Sequence, residues 1–285
     1  MTAPGPSGEA SARPSPSWAD LGPRLISAAV IIVVVATGLY FGSWIWAALC
    51  AVVIAVTYRE WDQMVTLKPI GPLGIAIAAI LGLAALAYPF YGPLGTFGVA
   101  AAAIVVSLFG ERPALVWRVG GIAFFALLLA AVQEMRGTVP AGILAGWYLG
   151  IVIASNDTGA YFVGRVVGGP KLAPLISPAK TVSGALGGWL IGTVAGTAFW
   201  IVFTDSPWWL GVVFSAALGV SGQVGDLLES AIKRLFRIKD SSDIIPGHGG
   251  FMDRLDSVTF GAILLVAIGL LHGGLGNVPT GFLNW

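Results

Sequence analysis

The sequence predicts an all-α polytopic integral membrane protein with about nine transmembrane helices and cytoplasmic polar loops. Three observations carry this. Of 285 residues, 56% are hydrophobic and only 10% charged. The apolar residues form long runs, and two of these, Leu25 to Tyr58 and Pro69 to Gly110, can each cross twice at the roughly 20 residues one helical crossing needs. The runs are continuous rather than alternating, which disfavours a β-barrel.

Taken in order, residues 1–20 are rich in Pro, Ser, Ala and Gly without an apolar core, and read as a disordered cytoplasmic tail. The expected crossings are 25–40, 44–58, 72–89, 94–110, 113–133, 138–154, 182–203, 208–224 and 258–273. Phe41-Gly42-Ser43 is the expected turn between the first two, with Tyr40, Trp44 and Trp46 as interfacial aromatics. The ring-rich segment from Tyr88 to Pro93 turns the chain again. Glycines at 184, 187, 188, 192, 196, 261 and 269 allow close helix packing in the last three crossings. Cys50 is the single cysteine, so no intramolecular disulfide forms. A net charge of +1 gives no reason to expect a nucleic-acid partner.

Nine crossings divide the charges unequally. Fourteen of the 15 Lys and Arg residues fall on the side of the amino terminus, and only Arg136 on the other. The positive-inside rule makes the rich side cytoplasmic. Arg118, inside the fifth crossing, is expected to snorkel to that side. Within it, residues 226–256 hold six acidic and five basic side chains. Chemistry is therefore expected at the cytoplasmic surface, on a charged reactant.

Two loops concentrate the polar residues. In 155–181, Asn156 and Asp157 sit at the end of the sixth crossing, 157–167 reads as a short helix, and Lys171 and Lys180 follow. A carboxylate at such a helix end is functional by default. In 225–257, Asp226, Glu229, Ser230, Lys233 and Arg237 share one face of an amphipathic helix continuing along the interface. A lipid-binding surface helix explains Lys233, Arg234, Arg237 and Lys239, but not the acids that begin the same face. Acids followed by bases suit a metal ion beside an anionic ligand. His248-Gly-Gly250 permits a close backbone approach, and Asp253 and Asp256 point one way as the last crossing begins. Hard oxygen donors select Mg²⁺ or a similar cation.

These residues resemble a known signature. Ser230-Ala-Ile-Lys-Arg-Leu-Phe-Arg-Ile-Lys-Asp240, with Ile245-Pro-Gly-His-Gly-Gly-Phe-Met-Asp-Arg-Leu-Asp256, is similar to the CDP-diacylglycerol synthase (phosphatidate cytidylyltransferase) family. Asn156-Asp-Thr-Gly-Ala-Tyr161, Ser177-Pro178 and Lys180-Thr181 are similar too. One position departs: Ser183 stands where the family commonly has an acidic residue before the glycine, and is expected to support structure.

The resemblance implies transfer of CMP from CTP to phosphatidate, giving CDP-diacylglycerol and pyrophosphate, with Mg²⁺ and room for a second cation. It implies metal binding by Asp226 and Asp253, and a catalytic set of Asp226, Asp253, Asp256, Lys239, Arg254 and His248. Asp256 is a further ligand or a partner of Arg254. Arg254 holds phosphate or pairs with Asp253 or Asp256. His248 orients rather than acts as a base. Asn156, Asp157, Lys171, Lys180, Ser230, Lys233 and Arg234 are the expected substrate-binding residues. Residues 21–137 then form N-terminal transmembrane helices and 138–285 a catalytic transmembrane region. The expected partners are CTP, phosphatidate, membrane lipids and a second copy of the chain, in a bacterial inner membrane. A CTP-dependent polyprenol or phytol kinase, a secondary transporter and a scaffold are the alternatives.

Overall fold

The computed structural model describes residues 21–137, 139–242, 244 and 250–285. The tail 1–20 and His248 lie outside the described residues. Helix α1 (Leu21–Phe41) meets α2 (Ser43–Thr66) at Gly42, which takes φ 60°, a conformation that costs glycine least. Helix α3 (Pro72–Ser107) contains two of the expected crossings. Gly92 inside it takes φ 59° and ψ −151°, and the Thr96 hydroxyl donates to the Ala84 carbonyl at 3.3 Å. In one straight helix those residues would be ~18 Å apart, so the chain folds back at Gly92, within the expected turn.

Then follow α4 (Arg112–Arg136), α5 (Ala141–Val167), strands β1 (Lys171–Ala173) and β2 (Ser177–Thr181), α6 (Val182–Phe203), α7 (Trp208–Leu235), α8 (Met252–Gly273) and α9 (Val278–Leu283). Six helices, α2, α3, α4, α6, α7 and α8, are long and apolar enough to cross a membrane, and α1 adds the shorter apolar stretch Ala29–Phe41. Each expected crossing overlaps a helix over most of its length. The chain is a multi-pass, all-α membrane protein.

Its buried apolar residues form two cores. The first joins α2, α3 and α4 through residues such as Tyr58, Trp61, Ile77, Leu81 and Phe125. The second joins α5 to α9 through Tyr148, Val152, Trp200, Leu218, Leu265 and Phe282. The seam between α5 and α6 lies within the second half of the molecule and is made of backbone. A Cβ on Gly188 would stand 2.4 Å from the Asn156 carbonyl oxygen, and one on Gly192 2.9 Å from that of Val152. Gly184, Gly188, Gly192 and Gly196 recur every fourth residue, the spacing that lets membrane helices touch along their length.

Several local expectations are corrected. Residues 157–167 are not a separate helix but the last turns of α5, because no breaker interrupts 141–167. Residues 171–181 form an antiparallel hairpin pairing Lys171 with Thr181 and Ala173 with Ser177. Helix α7 runs unbroken through Gly225 to Leu235, and Arg237 lies past its end at φ 59°, off the predicted face. Arg118 does not snorkel: it is buried, and its Nε donates to Asp62 Oδ1 at 2.8 Å. Desolvating a cation there is offset by that partner.

Candidate active site

Helices α5, α7 and α8 end or begin at one end of the bundle, where the β1–β2 hairpin closes against them. Between them lies a cleft of ≈850 Å³ lined by five carboxylates, Asp157, Asp226, Asp240, Asp253 and Asp256, and four cations, Arg165, Lys180, Lys233 and Arg254. Side chains on three helices and a hairpin meet here because their charged ends lie beyond the apolar runs.

Asp157 stands on α5 one turn past its apolar run. Burial, then the charge of Asp226, pushes its carboxyl up to about 6, while Lys180 and Arg254 pull it down. Asp226 on α7 pairs with Lys180 from β2 and accepts from Ser230 Oγ at 3.4 Å. Asp256, on the second turn of α8, feels the negative charge of both Asp226 and Asp157, and accepts from the Ser257 backbone N–H at 2.7 Å. Three acids thus crowd one side of the cleft, with Lys180 paired to Asp226 among them.

Asp253 has a different setting. Its Oδ1 accepts from Lys233 Nζ at 2.5 Å. Its Oδ2 accepts the Gly250 N–H at 3.0 Å, the Ser241 N–H at 3.1 Å and the Ser241 hydroxyl at 2.9 Å. Lys233 also donates to Glu229 Oε1 at 3.0 Å, and all three side chains are about nine-tenths buried. Lys233 is therefore a buried clamp between α7 and α8, lying at the cleft wall.

Of the residues the sequence marks out, Asp157, Lys180, Asp226, Lys233, Asp253, Arg254 and Asp256 come together here. Others do not reach the lining. Asn156 is fully buried: its Nδ2 donates to the Gly219 carbonyl at 3.2 Å and its Oδ1 accepts from Gln223 Nε2 at 2.9 Å. It sets Gln223, which does line the cleft. Arg234 gives its guanidinium to the carbonyls of Ile176 and Ile238 at 3.2 and 2.6 Å, tying the hairpin tip to the end of α7. Lys171 and Lys239 are exposed outside the lining, and Ser230 contributes through Asp226. Ser183 donates to the Gly168 carbonyl, joining the end of α5 to the start of α6.

Sequence reasoning did not single out Glu60, Gln223 or the pairing of Tyr161 with Arg165, whose side chains meet at 2.7 Å in the lining. The available signal for Glu60 was an acid just past the apolar run that ends at Tyr58.

Could a divalent cation fit? Among the described residues no group of three or more His, Cys, Asp or Glu side chains stands as a ready metal cluster. The donor set nevertheless suits a hard cation, because carboxylate oxygens are its preferred ligands. The mutual repulsion of Asp157, Asp226 and Asp256 is what such a cation relieves. Asp253 accepts from Ser241 and Gly250 on Oδ2 and from Lys233 on Oδ1, so a cation bound there would share Oδ1 with Lys233.

Comparison with known proteins gives consistent matches. The chain is 40% identical over 156 residues to a phosphatidate cytidylyltransferase of Brucella suis biovar 1, covering 54% of this chain and 57% of that protein. It is 46% identical over 128 residues to the Bacillus subtilis phosphatidate cytidylyltransferase, covering 45% and 48%. A Staphylococcus saprophyticus phosphatidate cytidylyltransferase is 46% identical over 112 residues, 39% and 43% of the two chains. The chain thus spans about half the length of the curated relatives it matches. The profile of the cytidylyltransferase family matches residues 22–271, nearly the whole helical bundle, and the chain belongs to that family.

Proposed function

We propose that the protein is a phosphatidate cytidylyltransferase, joining CMP from CTP to phosphatidate at the cleft between α5, α7 and α8. The observation that carries this reading is the lining itself: acids and bases in nearly equal number, gathered at one end of an otherwise apolar bundle. Both reactants are anions, so neither approaches the other without cations between them.

In the transfer, a phosphatidate phosphate oxygen attacks the α-phosphorus of CTP. A new P–O–P bond forms, the bond from the α-phosphorus to the bridging oxygen breaks, and pyrophosphate leaves with the electron pair. A phosphate monoester loses its second proton at about pH 6, so no strong base is needed at neutral pH. Mg²⁺, held by Asp226 and Asp256 with Asp157 beside them, would supply charge neutralisation at the phosphates. Lys180 and Arg254 hold phosphate oxygens, and Arg165, braced by Tyr161, lies in reach of the same cleft. Lys180 must trade Asp226 for phosphate when substrate enters. Fixed cations of this kind stabilise charge developing on the leaving group without reorganising. The two acyl chains stay in the bilayer leaflet while the headgroup enters from the side.

The positive-inside rule puts this end of the bundle in the cytoplasm, as a bacterial inner-membrane enzyme would require. A homodimer rests on the family resemblance alone. A CTP-dependent lipid kinase would use similar groups but transfer the γ-phosphoryl group. A transporter would place its ionisable residues near the bilayer midplane, whereas the cleft's lie at one end.

Labelled CTP decides the matter. Purified protein with phosphatidate, Mg²⁺ and CTP labelled at the α-phosphorus should yield labelled lipid and unlabelled pyrophosphate. Label at the γ-phosphorus should appear only in pyrophosphate. Lipid labelled from the γ position, or no labelled lipid from either, overturns the proposal.

A further inference from the structure

Glu60 lies far in sequence from the groups that surround it in the fold. It sits near the end of α2, in the first apolar core, and its side chain is fully buried. Among the described residues its hydrogen-bond partners lie 181 to 192 residues away, at either end of the strap leading into α8. Oε1 accepts from the Ser242 hydroxyl at 2.5 Å and the Phe251 N–H at 3.0 Å. Oε2 accepts from the Met252 N–H at 2.8 Å and lies 3.1 Å from the Ser241 hydroxyl.

Two features of the strap are explained by this contact. Helix α8 has Phe251 at its N-cap position and no side-chain cap of its own. The first N–H groups of a helix need an acceptor, and an anion there also meets the favourable end of the helix dipole. Glu60 supplies both from another helix. Gly250 is the second feature. A Cβ there would stand 2.7 and 2.8 Å from the two Glu60 oxygens and would overlap Ser241 Oγ. The last glycine of His248-Gly-Gly250 leaves room for this carboxylate.

The same strap residues hold Asp253. Ser241 reaches Asp253 Oδ2 through both its N–H and its hydroxyl, and Gly250 donates to the same oxygen. That hydroxyl has one proton and lies between two carboxylates, Glu60 and Asp253. Met252 is buried in the first core, against which Ile232, Phe236 and Ile238 also pack, so the anchor is packed as well as hydrogen-bonded.

We propose that Glu60 is a positioning residue for the cytidylyl transfer: it caps α8 from α2 and pins Ser241, Ser242 and Gly250, so that Asp253 and Lys233 present a fixed wall to the cleft. This rests on the reaction proposed above for the site, but the anchoring itself does not depend on which reaction occurs. A glutamine cannot replace Glu60. Whichever way its amide is turned, the nitrogen faces a backbone N–H, that of Phe251 or of Met252, which then loses its acceptor.

Hydrogen exchange on the full chain in nanodiscs, comparing wild type with Glu60→Gln, separates these two claims. At least one of the Phe251 and Met252 amides should exchange at least about tenfold faster in the variant, as expected when a buried hydrogen bond is lost. The amides of α3 should not change. Unchanged exchange at 251 and 252 overturns the proposal, whether or not the protein turns over CTP. Where wild type is active, Glu60→Gln and Gly250→Ala should each raise KM for CTP and the Mg²⁺ concentration for half activation by about tenfold, besides lowering kcat. A merely smaller folded fraction lowers kcat alone, and that result would assign Glu60 to stability only. Inactive wild type with fast-exchanging Glu60→Gln would discard the reaction and keep the anchor.

Discussion

The two halves of the bundle bury similar apolar helices but join them in different ways. Helices α2, α3 and α4 meet through large side chains: Trp61 packs on Phe125 and Trp117, and the indole N–H of Trp61 donates to the Trp117 carbonyl at 3.0 Å. A buried Asp62–Arg118 pair crosses the same interface. Helices α5 and α6 meet backbone to backbone along glycines. Side-chain packing has slack, since a ring or a methyl can tilt by a few tenths of an ångström. Backbone contact has none. The half that places Asp157, Lys180 and Asp226 around one cleft is the half built without slack.

This contrast can be broken or sharpened by substitutions. The largest stability effect is expected for Asp62→Asn, which leaves Arg118 buried without its anion. Unpairing a buried charge costs about 3–5 kcal/mol, read as a lowered thermal midpoint in detergent. Molecules that remain folded should keep near-normal turnover, because the pair lies outside the cleft. A loss of kcat per folded molecule would show the first core to be coupled to the site beyond Glu60.

Next comes Gly188→Ala. Its new methyl would enter the Asn156 carbonyl and the Ala160 backbone, at an overpacking cost of about 1–3 kcal/mol. Because α5 carries Asp157, turnover of the folded molecules should fall as well. The smallest effect is the same substitution in the other half. A methyl on Gly82 would lie 3.5 Å from the Ala51 carbonyl oxygen, an ordinary contact, so Gly82→Ala should change stability by no more than about 0.5 kcal/mol. Equal effects of the two alanines would remove the distinction between the halves.

Much of this was legible beforehand. Continuous apolar runs announce helices regardless of what they pack against, and the turns at Gly42 and Gly92 were marked by glycine with flanking rings. The spacing of Asp226, Lys233, Asp253 and Asp256 announced a shared site. What the residues could not reveal was their mutual engagement. Lys233 reads equally well as a phosphate ligand or as the clamp between Glu229 and Asp253. Asn156 reads as a helix end, where polar groups usually face water, yet α5 continues to Val167 and the amide turns inward to Gly219 and Gln223 of α7. Glu60 lies just past a run that reads as plain membrane helix, and its meaning comes from partners in distant sequence. The hairpin at 171–181 was hidden by Pro174 and Pro178, residues that usually argue against strands.

The most direct measurement is turnover of CTP and phosphatidate by Asp226→Asn beside wild type, reconstituted in the same lipid and matched for thermal midpoint. If the converging carboxylates of α5, α7 and α8 do the chemistry, kcat falls at least about 10²-fold while membrane insertion is unchanged. A correctly inserted Asp226→Asn protein working within a few-fold of wild type would contradict the account.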